Sequence, residues 1–285
     1  MDELSIISKF DSLVKSGLVL YDDKQEFQFV LTSALAKKPT IKTSEPQAEN
    51  NSEPQQQGRD GSDIGTVGFE LGDVNTTHFV TANKFCFARP HLMLLTSDGH
   101  RKQYEPLDEQ DLAAAWTVLT AAVGGGDYVV FFNCGQDGGC SRLHKHMQLI
   151  PTPAHSFAAF LDTEGGGKEP NVPFRWFYRR FGSQNVTPAQ LMNAYTDLLE
   201  QATKVGQGLS EHAGASPPGA ACPHNLVFTK RWMVLLPRRR AGVNKEAGAN
   251  SIGMLGVIAV ATRNEVDTWV RLGPTNTLRE LGVPK

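Results

Sequence analysis

Apolar positions recur along this chain with two different periods, and the switches between them mark its elements. Leu4, Ile7, Phe10 and Val14 keep a helical spacing, with Asp2 to cap the start and Gly17 to end it, which predicts an N-terminal helix. A strand is predicted at residues 27–31, leading into Ala34-Leu35-Ala36-Lys37-Lys38-Pro39. Residues 79–87 and 92–96 read as two strands joined by Ala88-Arg89-Pro90. Leu112, Ala115, Trp116 and Leu119 fall on one stripe, so residues 106–122 are predicted helical, with Gly124-Gly125-Gly126 as the stop. Residues 128–134 read as a buried strand, followed by a glycine-rich turn and a strand over 144–150. Thr187-Pro188-Ala189-Gln190 has the form of a capping box with proline at the first helical position, ahead of a stripe of Leu191, Tyr195, Leu198, Leu199 and Ala202. The last third predicts strands at 225–229, 232–236 and 255–260 and helices at 264–272 and 276–281. Strands and helices do not alternate regularly, so the expected class is α+β.

Composition changes this picture in one place. Residues 40–65 are rich in Gln, Asn, Ser, Glu and Pro and nearly free of large apolar side chains. Such a stretch cannot bury enough surface to offset the entropy of ordering. It is expected to be a disordered or mobile insertion; a phosphorylated or partner-binding segment is the functional alternative. Elsewhere the 285 residues are ordinary, with 40% hydrophobic, 20% charged and a net charge of -2. That balance gives no global field for nucleic acid, although a small anionic ligand needs only local positive charge. No apolar run reaches the length of a membrane span. Met1 to Phe10 contain Asp2 and Glu3 and no basic region before an apolar block, so no secretory signal is expected there. Cys86, Cys134, Cys140 and Cys222 show no C-x-x-C spacing. Reduced thiols in the cytoplasm or the nucleus, and no metal site, are expected.

The chemistry concentrates in residues 133–151. On a strand, alternate side chains share a face, which puts His144, His146 and Gln148 on one side and Met147 and Leu149 on the other. Two histidines at this spacing can ligate a metal, can be satisfied structural groups, or can include a nucleophile. The approach to the strand favours the last. Gly135, Gly138 and Gly139 let backbone N–H groups turn inward to cradle phosphate oxygens, with Asn133 and Ser141 as further donors.

His144-x-His146-x-Gln148 followed by an apolar pair and Pro151 resembles the histidine-triad superfamily, in the glutamine-ending form of its transferases. More narrowly the chain is similar to the fungal-type ATP adenylyltransferases, or diadenosine tetraphosphate phosphorylases. Residues 78–85 with 91–96, residues 224–232 with Leu236-Pro237-Arg238, residues 250–256 and the tail 278–284 carry the rest of the likeness. It covers most of the chain outside 40–65. The resemblance implies a HIT-like fold, a mainly antiparallel sheet flanked by helices. It also implies a division into an N-terminal part, 1–39, packing on the core, the insertion 40–65, a catalytic region 66–206, and a C-terminal adenylyltransferase region 207–285 completing the same unit.

The implied reaction is phosphorolysis of diadenosine tetraphosphate to ATP and ADP, reversible, through an adenylyl group on His146. A polyphosphate leaving group is already stable as an anion and needs no general acid. A neutral Gln148 can therefore replace a third histidine and hydrogen-bond the transferring phosphoryl group. His144 is expected to help orient His146 and to contact phosphate. The substrate-binding set expected alongside is Lys38, Asn83, Lys84, Asn133, Gly139, Cys140, Ser141, Asn225, Thr229 and Lys230, with Lys37 and Lys145 as further candidate cations. His91 reads as the start of a strand and 238–240 as a solvated loop. No cofactor is expected beyond a divalent cation accompanying the polyphosphate. The expected partners are small nucleotides and phosphate, with no nucleic acid and no membrane.

The chain departs from the family pattern at 68–73, where an Asn-Pro-Phe block is lacking, and at Asp137 and Cys140, where small or hydroxylated residues are usual. Asp137 would repel phosphate unless it points away or meets a cation. The rival readings are a HIT-type dinucleotide hydrolase, a hexose-1-phosphate nucleotidylyltransferase, against which Lys145 stands where proline is usual, and a non-catalytic nucleotide-binding protein.

Overall fold

A computed structural model describes residues 19–22, 27–38, 58–121, 127–163, 167–182 and 186–285. The helix expected near the N-terminus and residues 40–57 of the insertion lie outside the described residues.

The order of elements is β1 (Val19–Asp22), β2 (Phe27–Leu31), a 3-10 turn (Ser33–Lys37), β3 (Glu70–Val74), β4 (His78–Ala82), β5 (Leu92–Thr96), α1 (Glu109–Ala121), β6 (Tyr128–Cys134), β7 (His146–Pro151), a 3-10 turn (Phe157–Asp162), β8 (Phe177–Arg180), α2 (Pro188–Gly206), a 3-10 turn (Ala213–Ala215), β9 (His224–Phe228), β10 (Trp232–Pro237), α3 (Ser251–Met254), β11 (Val257–Val260), α4 (Arg263–Leu272) and α5 (Pro274–Leu281). Eight strands form one sheet in the order β3-β4-β5-β7-β6-β9-β10-β8. Every ladder in it is antiparallel. A second sheet, β1-β2-β11, joins an N-terminal hairpin to a C-terminal strand that runs parallel to β2. The arrangement is the expected α+β, mainly antiparallel fold.

Central strands are buried on both faces, and their alternation sorts the core into two layers. On β6, Val130 and Phe132 join Leu112 and Leu119 of α1 and Leu191, Tyr195 and Leu198 of α2. Val129 and Phe131 join the other layer, with Phe27, Phe29, Ile258, Trp269 and Leu278. Each such Leu or Phe contributes about 1.5–3 kcal/mol by leaving water. The capping box that starts α2 is formed: Gln190 N donates to Thr187 Oγ1, and Thr187 N donates to Gln190 Oε1. Among the described residues no helix is long and apolar enough to cross a membrane.

Two expected strands are shorter than their apolar runs. The strand read over 79–87 ends at Ala82, because Asn83 Oδ1 accepts the Phe85 N–H at 2.8 Å and turns the chain. The strand read over 144–150 begins at His146, and His144 makes only an isolated bridge to Lys102. Edge strands β3 and β8 carry no clear signal in the sequence, since most of their side chains are exposed and the pattern is not forced by a core.

Candidate active site

Strand β7 lies between β5 and β6. Met147 and Leu149 face the layer covered by α1 and α2, so His146 and Gln148 face the opposite side. The backbone of His146 is clamped by Gln103, whose Oε1 accepts its N–H at 2.6 Å and whose Nε2 donates to its carbonyl at 2.9 Å.

The ring of His146 has one nitrogen committed and one free. Nδ1 lies 2.8 Å from the carbonyl oxygen of His144. A carbonyl only accepts, so the proton sits on Nδ1 and Nε2 keeps its lone pair. Among the described residues Nε2 has no partner, and His146 lines a cavity. Burial pushes its pKa down to about 4, against the bond to His144. The ring is therefore neutral near pH 7, the state a nucleophile requires.

His144 uses both ring nitrogens. Nδ1 accepts from Ser62 Oγ at 2.8 Å, and Nε2 points at Thr96 Oγ1 and the Thr96 carbonyl, each at 3.0 Å. It is fully buried and lines neither cavity described below. Its own carbonyl is what orients His146, so the expected support is given through the backbone, and the buried ring, bonded at both nitrogens, does not reach the cavities for the expected phosphate contact.

Gln148 is held by its oxygen. His91 Nε2 donates to Oε1 at 2.9 Å and Asn83 Nδ2 approaches it at 3.3 Å. Among the described residues the amide nitrogen has no partner, which leaves its two N–H donors for the cavity. His91, read from sequence as the start of a strand, is thus a holder of Gln148. Burial lowers its pKa to about 4, so it donates as a neutral ring.

Two adjoining cavities, about 250 and 380 Å³, share Lys38, Asn83, Phe85, Ser141 and Gln148. The first adds His146, Lys84 and Arg142, with Ile64, Phe69 and Met93 as apolar wall, and among the described residues no carboxylate lines it. Lys38 remains exposed, yet partial desolvation by the surrounding groups and the neighbouring Arg142 charge hold its ammonium below its ordinary pKa. Three cations around one small space favour a ligand carrying several negative charges. The second cavity adds Gly139, Cys140, Lys245 and Asn250 together with Glu246 and Glu265.

The glycine-rich loop turns as its sequence suggests, but N–H groups expected to cradle phosphate are spent on protein carbonyls: Gly135 N on Gln103 at 3.1 Å, Gly139 N on Gln136 at 2.9 Å and Cys140 N on Gly135 at 3.3 Å. Gly135 and Gly139 have φ of 74° and 84°, a region that favours glycine. A Cβ on Gly138 would stand 2.1 Å from the Cys134 carbonyl oxygen. Asp137 points away from the cavities: its carboxylate accepts from the backbone N–H of His212 at 2.9 Å and faces His212 Nδ1 at 2.6 Å. Asp137, Glu211 and His212 are the group among the described residues that brings three possible metal ligands together, and it lies outside both cavities.

Several expected ligands sit elsewhere. Asn133 and Asn225 are buried beneath the loop and already bonded: Asn133 Oδ1 accepts from Asn225 Nδ2 at 3.1 Å and from Ser251 N at 2.8 Å, and Asn225 Nδ2 donates to the Gly138 carbonyl at 2.6 Å. They shape the loop and line neither cavity, although among the described residues the Asn133 amide nitrogen has no partner. Arg238, expected in a solvated loop, is fully buried and donates to Asn225 Oδ1 and to the carbonyls of Ala249, Arg240 and Leu281. Thr229 closes the β9–β10 turn by accepting from the backbone of Arg231 and Trp232, and Lys230 is exposed in that turn. His224 pairs with Cys134 beside the loop, whereas Phe228 pairs with Val130 further down β6. At about 3.3 Å per residue, Asn225 and Lys230 are some 15 Å apart and cannot serve one phosphate. Lys145 is buried on the far face, 2.7 Å from Asp111, whose other oxygen is 3.0 Å from His78 Nε2. That carboxyl is held down at about 2, its bonds to His78 and Lys145 outweighing the cost of burial.

The segment read as part of the insertion contributes too. Residues 58–65 take up definite positions: Ile64 packs on Phe79 and Leu95, and Ile64, Gly65 and Thr66 line the first cavity. Their polar composition hides this, because their anchoring is by hydrogen bonds to backbone and to His144.

Placed on this fold, the histidine–glutamine pair defines a protein of the histidine-triad-like class. Comparison narrows the class. The sequence model of the Ap4A phosphorylase N-terminal domain matches residues 18–161, and that of the ATP adenylyltransferase C-terminal domain matches residues 170–284. The chain belongs to the Ap4A phosphorylase family. The diadenosine 5',5'''-P1,P4-tetraphosphate phosphorylase 2 of Saccharomyces cerevisiae is 29% identical over 209 residues, 65% of this chain and 62% of the relative. This chain thus spans a little under two thirds of that relative's length. Protein APA1 of the same yeast is 28% identical over 236 residues, 75% of this chain and 71% of the relative. The crystal structure of yeast Ap4A phosphorylase Apa2 superposes with a TM-score of 0.68 at 22% identity, covering 99% of this chain and 97% of that one. The structure of Apa2 in complex with Ap4A superposes equally well, with a TM-score of 0.68. These likenesses establish the fold.

Proposed function

We propose that this protein is a nucleotidyltransferase that cleaves diadenosine tetraphosphate by phosphorolysis, giving ATP and ADP. The observation that carries this reading is the free Nε2 of a neutral His146, its tautomer fixed from behind, next to the unused amide of Gln148. The Nε2 lone pair attacks the α-phosphorus, the P–N bond forms, and the bond to the bridging oxygen breaks with its electron pair leaving on ATP. An oxygen of inorganic phosphate then attacks the adenylyl phosphorus, the P–N bond breaks, and ADP departs. The reverse sequence makes the dinucleotide from ATP and ADP.

Gln148 donates to the phosphoryl oxygens as charge builds on them. Lys38, Lys84 and Arg142 hold the polyphosphate, and Ser141 receives phosphate from the other side, at the wall it shares with Gly139 and Cys140. Asn83 steadies Gln148 and borders both cavities. The protein's own groups complete this scheme; a divalent cation travelling with the polyphosphate would lower its charge. The partners are small nucleotides and phosphate, and the chain works in the cytoplasm, with the nucleus as a second compartment. The name of one yeast relative, a diadenosine tetraphosphate phosphorylase, and the family's domains support this reading.

The rival is hydrolysis, with water in place of phosphate. Products resolved by chromatography separate the two. Phosphorolysis yields ATP and ADP only when phosphate is supplied; equal turnover to ATP and AMP without phosphate would replace the transferase with a hydrolase.

A further inference from the structure

Residues 58–65 lie against the start of the catalytic strand, and one carboxylate among them gathers two backbone donors. Asp63 Oδ2 accepts the N–H of Leu143 and Oδ1 accepts the N–H of His144, each at 2.8 Å. Ser62, one residue earlier, bonds the His144 ring. The segment is itself anchored: the Arg59 guanidinium lies 3.6 Å from the centre of the Phe79 ring, and Ile64 is buried against Phe79 and Leu95. On the other side of residue 144, Lys145 N donates to the Arg101 carbonyl at 2.9 Å. Both peptide N–H groups flanking residue 144 are therefore bonded outside the strand.

Residue 144 matters because its carbonyl holds the Nδ1 proton of His146. If that carbonyl rotates, the proton is free to sit on Nε2, and the lone pair that attacks phosphorus is lost. Bonds to a carboxylate are roughly twice as strong as neutral ones, so a charged acceptor fixes this backbone better than an amide or water would.

We propose that Asp63 is a positioning residue for the nucleophile: it pins the Leu143–His144 backbone, and so the carbonyl that sets the tautomer and direction of His146. It touches no substrate. Its importance for catalysis rests on the functional reading above; its effect on the tautomer does not.

The test is Asp63→Asn, with Asp60→Asn as control. Asp60 belongs to the same segment, and among the described residues its carboxylate meets the exposed His100 alone. Histidine-labelled protein gives the tautomer of His146 by long-range proton–nitrogen spectra, the signal being assigned by its loss in His146→Gln. The parent and Asp60→Asn should show the Nδ1–H form alone. Asp63→Asn should show a mixture. A misplacement of this kind is expected to slow adduct formation in a single turnover by about 10–100-fold, with nucleotide affinity changed less than about twofold. Should Asp63→Asn not fold, Asp63→Ser keeps one acceptor and is read in the same way. An unchanged tautomer and adduct rate would overturn the proposal, as would a loss that only tracks the unfolded fraction seen by calorimetry. If the parent forms no adduct while Asp63→Asn still mixes the tautomers, the functional reading fails and the positioning role stands.

Discussion

Two clusters of buried polar side chains flank the glycine-rich loop. On one side His146, Gln148, His91 and Asn83 bond to one another and to backbone, yet two nitrogens, Nε2 of His146 and the amide of Gln148, have no partner among the described residues and face a cavity. On the other side Asn133, Asn225, Ser251 and Arg238 bond to one another and to backbone carbonyls, those of Gly138, Phe132, Ala249, Arg240 and Leu281 among them, and line neither cavity. By residue type the second cluster looks as much like a ligand site as the first. Access to a cavity is what separates them: the unused groups of the first cluster face one, whereas the second, closed among the described residues except at the Asn133 amide nitrogen, lines neither and stabilises a loop.

The comparison breaks first at Arg238. Its charge is buried enough to push its pKa down to about 9, and its removal would leave Asn225 and several carbonyls without a donor. Arg238→Ala should lower stability in urea unfolding by about 3–5 kcal/mol, the cost of breaking a buried charged network. A loss under about 1 kcal/mol would mean that the closed cluster is not a stabilising one. In the open cluster the largest effect should be on rate. Gln148→Ala should slow adduct formation about 100-fold, the usual worth of one donor aimed at developing charge. A change under about threefold would remove Gln148 from the chemistry.

Acid should sharpen the contrast. His91, His146 and His224 all have pKa values lowered by burial to about 4, against about 6.5 in the unfolded chain. Between these values the unfolded state binds more protons than the folded one. Stability is therefore full above about pH 6.5 and falls as the pH drops toward 4. Urea midpoints measured from pH 7 to pH 4.5 should fall steadily; a flat profile would mean that these rings are charged or solvated. The smallest effect belongs to Lys230→Ala. It should leave nucleotide affinity and turnover within about twofold, since that lysine lies at the far end of β9, and a tenfold loss would move the site.

The catalytic strand is legible in the sequence because alternation alone separates Met147 and Leu149 from His146 and Gln148. The loop is legible because closely spaced glycines mark a backbone whose turns and close approaches a side chain would block. Direction and satisfaction stay hidden. Nothing in the composition of 225–230 says that a strand carries Asn225 under the loop and Lys230 away from it. Arg238 resembles any surface arginine until its acceptors, Ala249 and Leu281 among them, arrive from later in the chain. His91 gains its role only when β5 and β7 pair and place it against Gln148. Residues 58–65 look like a mobile stretch by their polarity, and that polarity is what anchors them to His144.

The central claim is that Nε2 of His146 attacks phosphorus. Protein incubated with Ap4A in the absence of phosphate, quenched in base and mapped by peptide mass spectrometry, tests it directly. The account predicts an acid-labile adenylyl group on the peptide carrying His146, absent in His146→Ala and discharged as ADP when phosphate is added. A parent protein that turns over Ap4A with no adduct on that peptide, or a His146→Ala variant that retains turnover, would contradict it.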